Sequence, residues 1–251
     1  METKNFYHDG IWDAIVNHQG FDIGRREFEA LIRFLPVVVR HVANVVNVLH
    51  LGVGNGREVT LFANQLKVGK YVINDICAPS LERVTEQARV ACPVTSFSEA
   101  RADIEQNGVI QKLRQGITGQ TLIVLVGNAV IFSNRSLDDN IRQAMERDDL
   151  FLVTAETPHE KMSQSYTIEP VYRLLAQSGM AVNADNTSTR YDESDQCLKM
   201  SCRGEVLLSS YKPKPGQLRQ RLKAMEMAKV ALCEYQDTHM VAGLFRKERL
   251  T

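Results

Sequence analysis

The chain has 251 residues, 44% of them hydrophobic and 24% charged, enough apolar material to bury a sizeable core and to exclude disorder as the main state. Its 30 Lys and Arg balance 30 Asp and Glu, and a net charge of zero counts against a dedicated nucleic-acid binder, which needs a basic excess to meet phosphate. No apolar run reaches the ~18–20 residues a membrane span needs, and the first residues carry no apolar leader core, so a cytoplasmic location without a membrane partner is expected. Cysteines at 77, 92, 197, 202 and 233 form no Cys-x-x-Cys pair, and the histidines show no metal spacing; free thiols and no metal are expected.

Residues 6–18 fit a short helix with Phe6, Trp12, Ile15 and Val16 as its apolar positions. A stronger helix follows, with Phe28, Leu31, Ile32 and Leu35 at helical spacing, and Pro36 is expected to interrupt or kink it. From residue 45 the pattern changes. Residues 45–51 are β-branched and apolar and read as a buried strand ending at Gly52. Alternating elements follow: helix 59–66, strand 71–76, helix 79–91, a short strand within 93–103, helix 106–114, strand 121–126, helix 136–146 with Ser136 as its cap, strand 150–155 and helix 168–177. Residues 181–211 alternate like paired strands, and a helix is expected over 217–225. Two last strands, 229–235 and 240–245, are joined by so short a turn that they must be antiparallel. The expected fold is α/β: a Rossmann-like, doubly wound, mostly parallel sheet ending in an antiparallel hairpin, with a small β insertion at 181–211. Residues 1–44 are read as an N-terminal helical lid and substrate segment, and 45–251 as the catalytic domain.

The informative stretch is Val48-Leu-His-Leu-Gly-Val-Gly-Asn-Gly-Arg57. Gly52, Gly54 and Gly56 fall between a buried strand and a helix, where a tight turn needs unusual backbone angles and a ligand must approach the main chain without meeting a Cβ. Asp75 closes the second strand, where a carboxylate can accept the hydroxyl hydrogens of a ribose. The dinucleotide fingerprint is Gly-x-Gly-x-x-Gly; here the spacing is Gly-x-Gly-x-Gly, with no glycine at 57 or 58.

This turn, the strand-two acid and the terminal hairpin resemble class I S-adenosylmethionine-dependent methyltransferases. The resemblance implies S-adenosyl-L-methionine as cofactor and S-adenosyl-L-homocysteine as product. It also implies that the glycine turn lies against the methionine part, that Asp75 holds the ribose and that Asp103 sits near the adenine. Further segments narrow it: His18-Gln-Gly-Phe-Asp-Ile-Gly-Arg-Arg-Glu27, Tyr71-Val-Ile-Asn-Asp-Ile-Cys-Ala-Pro-Ser-Leu81, Leu125-Val-Gly-Asn-Ala-Val-Ile-Phe-Ser-Asn134, Tyr166 and Cys197-Leu-Lys-Met-Ser201. In this order they resemble the histidine-specific Nα-methyltransferases of ergothioneine biosynthesis. That resemblance implies that an aromatic-Arg-Glu segment closes over the cofactor, with Arg25 on the cofactor and Phe21 on the substrate, that Gly127, after the fourth strand, lies against the cofactor with Asn128 beside it, and that the insertion contacts the acceptor through Ser201. Three departures stand out: Glu58 where that family is usually basic, Lys199 where it has a carboxylate, and Phe21 where it often has tyrosine. The cofactor and reaction type therefore carry over, but histidine as substrate does not.

Methyl transfer from a sulfonium is an in-line displacement that asks mainly for proximity and alignment, with the acceptor nitrogen neutral. Asn128 is the candidate for orienting that acceptor, set against the simpler role of shaping a turn with Gly127. Tyr166 is a candidate substrate contact, against a packing role, and Lys199 a candidate for a substrate carboxylate or phosphate, against a solvated surface position. Glu156, after the fifth strand, is a candidate general base, against a loop cap. Arg25, Arg26 and Glu27 are candidates for a lid ion pair, against a solvated helix start, and His50 reads as a satisfied core histidine.

The function expected is methylation of a small molecule, at the nitrogen of an amino acid or amine, with a homodimer allowed. Rivals are aminopropyl or aminocarboxypropyl transfer with the same cofactor, as in nicotianamine-type synthases, an inactive methyltransferase-like binding subunit, a nicotinamide oxidoreductase and a nucleic-acid methyltransferase. The last would use the basic stretch 212–229, which lacks an aromatic stacking platform.

Overall fold

The computed structural model describes residues 11–126, 135–177 and 179–248. Helices α1 (Ile11–Asn17) and α2 (Ile23–His41) precede the alternating part, which runs β1 (Val46–Leu51), α3 (Arg57–Gln65), β2 (Val68–Asp75), α4 (Ala78–Ala91), β3 (Ser96–Arg101), α5 (Val109–Gln115), β4 (Thr121–Leu125), α6 (Arg135–Ala144), β5 (Leu150–Glu156) and α7 (Glu169–Ala176). Then come β6 (Thr187–Asp192), β7 (Cys197–Cys202), β8 (Glu205–Tyr211), α8 (Pro215–Ala224), β9 (Met227–Tyr235) and β10 (Met240–Lys247).

Seven strands form one sheet in the order β3-β2-β1-β4-β5-β10-β9. The first five are mutually parallel, and β10 pairs antiparallel with both β5 and β9. Strand order reverses between β1 and β4, so the β1 glycine turn opens at the point where ligands bind in sheets of this kind. Alternate side chains separate the two faces. Leu49, Leu51, Ile123, Leu125, Phe151 and Val153 pack toward α5, α6 and α8. Val46, Val48, Leu122, Val124, Leu150 and Leu152 pack toward α2, α3 and α4. This is the mostly parallel, doubly wound sheet with an antiparallel end that the sequence leads one to expect. The insertion is a separate three-stranded antiparallel sheet, β6-β7-β8, whose Met200 and Cys202 pack with Ile11 and Ile15 of α1 and Val171 and Leu175 of α7.

Several local expectations are corrected. Helix α2 continues past Pro36 without interruption. The ring removes one amide donor, but the carbonyl that loses it belongs to Ile32, which is 48% exposed, so water can satisfy it. The buried stripe of α2 is Ile23, Arg26, Glu27, Ala30, Leu31, Phe34, Leu35 and Val38, and Ile32 faces solvent. Helix α5 begins at Val109 because Gly108 takes a left-handed conformation (φ 75°) just before it. Helix α6 is Arg135–Ala144, a range that includes Ser136.

Candidate active site

The glycine turn is held by main-chain bonds to the neighbouring strand. The amides of Gly52 and Val53 both donate to the carbonyl of Asn74, at 2.9 and 3.2 Å. Gly52, Gly54 and Gly56 all have positive φ, at 66°, 54° and 78°. Gly56 has a second constraint: a Cβ there would lie 2.5 Å from Cγ1 and 2.7 Å from Cγ2 of Val84 on α4. Its lack of a side chain thus lets α3 and α4 approach as well as forming the turn.

Asp75 ends β2 beside this turn. Its Oδ2 accepts from the Gly54 amide at 3.1 Å and its Oδ1 from the Cys77 amide at 2.9 Å. Burial pushes its carboxyl up, against the hydrogen bonds from the Cys77, Gly54 and Ile76 amides. Three amides use three of the roughly four lone-pair sites of the carboxylate, so it can brace the turn and still accept from a ligand. Asp103 follows β3, and its Oδ1 accepts from the Glu105 amide at 3.0 Å. On the α3 side of the turn lies Glu58, 7% exposed, which burial and the nearby Glu27 carboxylate push up to about 7. Glu27 accepts a hydrogen bond from the Thr154 hydroxyl on β5.

The end of β5 carries a second assembly. Glu156 is 1% exposed. Its Oε1 pairs with the Arg26 guanidinium and lies 2.9 Å from His159 Nε2, and its Oε2 lies 2.5 Å from the Lys212 ammonium. Arg26 also reaches Asp22 at 3.0 Å and donates to the Thr238 carbonyl at 2.9 Å. Lys212 donates to the Tyr166 hydroxyl at 2.7 Å, which lies 2.9 Å from the Ser210 hydroxyl. His159 stacks on His239, with ring centroids 4.2 Å apart. Burial pushes Glu156 up, but Lys212, the His159 hydrogen bond and Arg26 outweigh it and hold the carboxyl down at about 2. A carboxylate held ionised so firmly is a feeble proton acceptor; Glu156, weighed from sequence as a general base against a loop cap, sits in a buried ion-pair network.

The parallel strands β1, β4 and β5 end on one edge, so the glycine turn and Glu156 lie about 10 Å apart across the sheet, with β4 between them. That edge brings together Gly52, Gly54, Gly56, Asp75, Glu156 and Tyr166. Gly127 and Asn128 lie outside the described residues. Arg25 points outward: its side chain is 61% exposed and pairs with Glu29 at 2.8 Å. The buried cation of that segment is its neighbour Arg26. Phe21 is half-buried between the α1/α7 cluster and the Ile23, Tyr166 and Leu198 cluster.

Lys199 is not brought to the edge. It is tied to Asp192 at 2.8 Å and to Asp195 within its own hairpin, hydrogen bonds that raise its pKa. Strand alternation puts Lys199 and Ser201 on the face of β7 opposite Leu198, Met200 and Cys202, which face the core. His50 is buried in the core with Nδ1 3.0 Å from the Tyr71 hydroxyl, and burial pushes it down to about 3.

Sequence reasoning missed Lys212, reading it as the start of a basic solvated stretch. The available signal was its place between Tyr211 and Pro213, ahead of the helix whose basic face the other residues form. Arg26 carried a plainer signal, three residues after Ile23 and four before Ala30 on the buried stripe. Among the described residues, no helix is long and apolar enough to cross a membrane and no side-chain cluster could hold a metal ion.

Solved structures similar in fold include the N-methyltransferase NodS from Bradyrhizobium japonicum WM9, 14% identical with a TM-score of 0.51, covering 91% of this chain and 99% of that one. NodS in complex with S-adenosyl-L-homocysteine matches at 14% identity and a TM-score of 0.53, over 96% of this chain and 100% of that one. A SAM-dependent methyltransferase from Anabaena variabilis ATCC 29413 matches at 9% identity and a TM-score of 0.59, over 99% and 96% of the two chains. At such identities the likeness is one of fold. No curated protein matches in sequence. The family described as histidine-specific methyltransferase, SAM-dependent, matches residues 1–174, a span holding the glycine turn, Asp75, Glu156 and Tyr166 but not the insertion. On that match, the chain belongs to the histidine-specific, S-adenosylmethionine-dependent methyltransferase family.

Proposed function

We propose that this chain methylates the nitrogen of a small amine, with an amino acid as the preferred class of acceptor. The observation that carries the reading is the match to a family of methyltransferases specific for an amino acid, over the residues that build the catalytic edge. The name of NodS, an N-methyltransferase of the same fold, agrees with a nitrogen acceptor.

The residues present fit the family's cofactor, S-adenosylmethionine. Three glycines with positive φ leave the main chain at the end of β1 uncovered by side chains, and Asp75 beside them has acceptor capacity left for a ribose hydroxyl. Gly52, Gly54, Gly56 and Asp75 would hold it, with Asp103 after the next strand. When bound, the cofactor supplies an electrophilic methyl group on a sulfonium.

The chain's own residues have the remaining work. Displacement at that methyl needs an acceptor lone pair on line and a neutral nitrogen. Glu156 is locked between Arg26 and Lys212, so it does not take the acceptor's proton; a free amine that reaches the crevice neutral needs only orientation. Among the described residues, Tyr166 and Phe21 are aromatic candidates for that, and Asn128 remains a candidate. Lys199 and Ser201 face away from Tyr166, so the reading does not use them.

The test is incubation of purified protein with S-adenosylmethionine and the twenty L-amino acids plus simple polyamines, followed by mass spectrometry. A mass gain of one or more methyl groups on an amine supports the reading. Transfer of an aminopropyl or aminocarboxypropyl group would replace it with the rival chemistry. Tight S-adenosylhomocysteine binding with no product from any amine would leave the inactive binding subunit.

A further inference from the structure

We infer that Lys212 is a positioning residue for the acceptor side of the crevice, acting through the Tyr166 hydroxyl; the inference rests on the amine-methylation reading above. Lys212 follows the last strand of the insertion and its side chain is fully buried. Lys212 pairs with Glu156, a carboxylate that also holds Arg26 and His159. The other contact of the ammonium is Tyr166, at 2.7 Å, with the charge also 5.0 Å from the ring centroid.

An ammonium has three donors and no acceptor. Tyr166 must therefore accept from Lys212, and its own proton is left to point at Ser210 or into the crevice. Without Lys212, the pair Tyr166 and Ser210 could run in either direction, since each hydroxyl can donate or accept. Lys212 thus occupies an acceptor site of the tyrosine oxygen and keeps its proton turned away from the ammonium, toward Ser210 or the crevice. Its backbone is fixed in turn by the insertion: the Lys212 amide donates to the Gln196 carbonyl at 2.7 Å, and the Tyr191 hydroxyl donates to the Lys212 carbonyl at 3.0 Å. The β6–β7 hairpin therefore sets where the ammonium sits, and the ammonium sets how Tyr166 meets the acceptor.

The experiment compares wild type, Lys212→Met, Tyr166→Phe and the double variant, using the amino acid that the wild type methylates best. Acceptor KM, kcat and the Kd for S-adenosylhomocysteine are measured for each. Misplacing a substrate-orienting group costs on the order of 10²-fold. Lys212→Met is expected to lower acceptor kcat/KM by roughly that factor, while the Kd moves by less than about threefold and the double variant is no worse than Tyr166→Phe alone. Additive losses in the double variant, or parallel losses of nucleoside binding and acceptor turnover, would overturn the inference and make Lys212 a fold residue. So would an active wild type with unchanged kinetics in Lys212→Met. If Lys212→Met does not fold, Lys212→Arg decides, because it keeps the buried charge on Glu156 and replaces the ammonium against Tyr166 by a planar donor: a fall in acceptor kcat/KM with nucleoside Kd intact supports the inference, and unchanged kinetics or parallel losses of both overturn it. A wild type that methylates no amine removes the parent reading instead, a result distinct from all of these.

Discussion

Replacing Glu156 with glutamine keeps the side-chain shape and removes one charge. Glu156 lies between Arg26 and Lys212, all three buried, with only the partly exposed Asp22 as a further anion on Arg26. Breaking a buried ion pair from one side costs ~3–5 kcal/mol, because the cation left behind is unpaired. A second route gives a similar size: the carboxyl falls from 4.5 to about 2 on folding, which corresponds to about 3 kcal/mol of stabilisation at neutral pH. The sign is that of a depressed acid. The contribution is complete above the unfolded value near 4.5 and is lost as pH falls toward 2. Glu156→Gln is therefore expected to lower unfolding stability by roughly 3 kcal/mol at pH 7, about 6–12 °C in Tm for a chain of this size, and to abolish most of that difference near pH 2. Urea denaturation at pH 7, and thermal melts from pH 7 down to the lowest pH at which the chain stays folded, would measure it. A variant within 1 kcal/mol of wild type at pH 7 would refute the ion-pair assignment, and a gap that stayed constant down the pH series would refute the electrostatic cause.

Asp75→Ala is expected to raise the Kd for S-adenosylhomocysteine by ~10²-fold or more by calorimetry, since charged hydrogen bonds contribute about 1.5–3 kcal/mol each; unchanged affinity would take Asp75 out of the site. Gly56→Ala meets a positive φ and the Val84 methyls together, so a loss of roughly 3 kcal/mol is expected in denaturant, with Val84→Ala recovering part of it in the double variant; no recovery would mean the backbone conformation alone is at fault. Arg114→Met removes the guanidinium that clamps Asp149 at 2.8 Å near the opposite edge of the sheet, and should cost ~3–5 kcal/mol of stability while leaving nucleoside Kd unchanged; a change in Kd would mean that this clamp reaches the site.

Much of the fold was legible because local chemistry and global order agree. Apolar runs marked β1, β4 and β5, the first two closed by glycine, and a turn too short for a crossover made β9 and β10 antiparallel. The glycine turn and Asp75 were legible for the same reason: both are strand-end positions within one strand–helix–strand unit, so nothing distant is needed to bring them together. Helix α2 was less legible, since a proline and two adjacent charges look like a surface, and only burial against β5 and β10 shows which face is inside.

The assembly at Glu156 was decided by tertiary structure alone. Arg26, Glu156, Tyr166 and Lys212 come from α2, the end of β5, the following loop and the end of the insertion. No periodicity links positions so far apart. Sequence pattern reports which face of an element is apolar, and a charged residue breaks that pattern whether it is solvated or buried with a partner. What decides between the two is whether folding brings an opposite charge within about 3 Å, and that distance exists only once the sheet, the helix and the insertion have closed on one another.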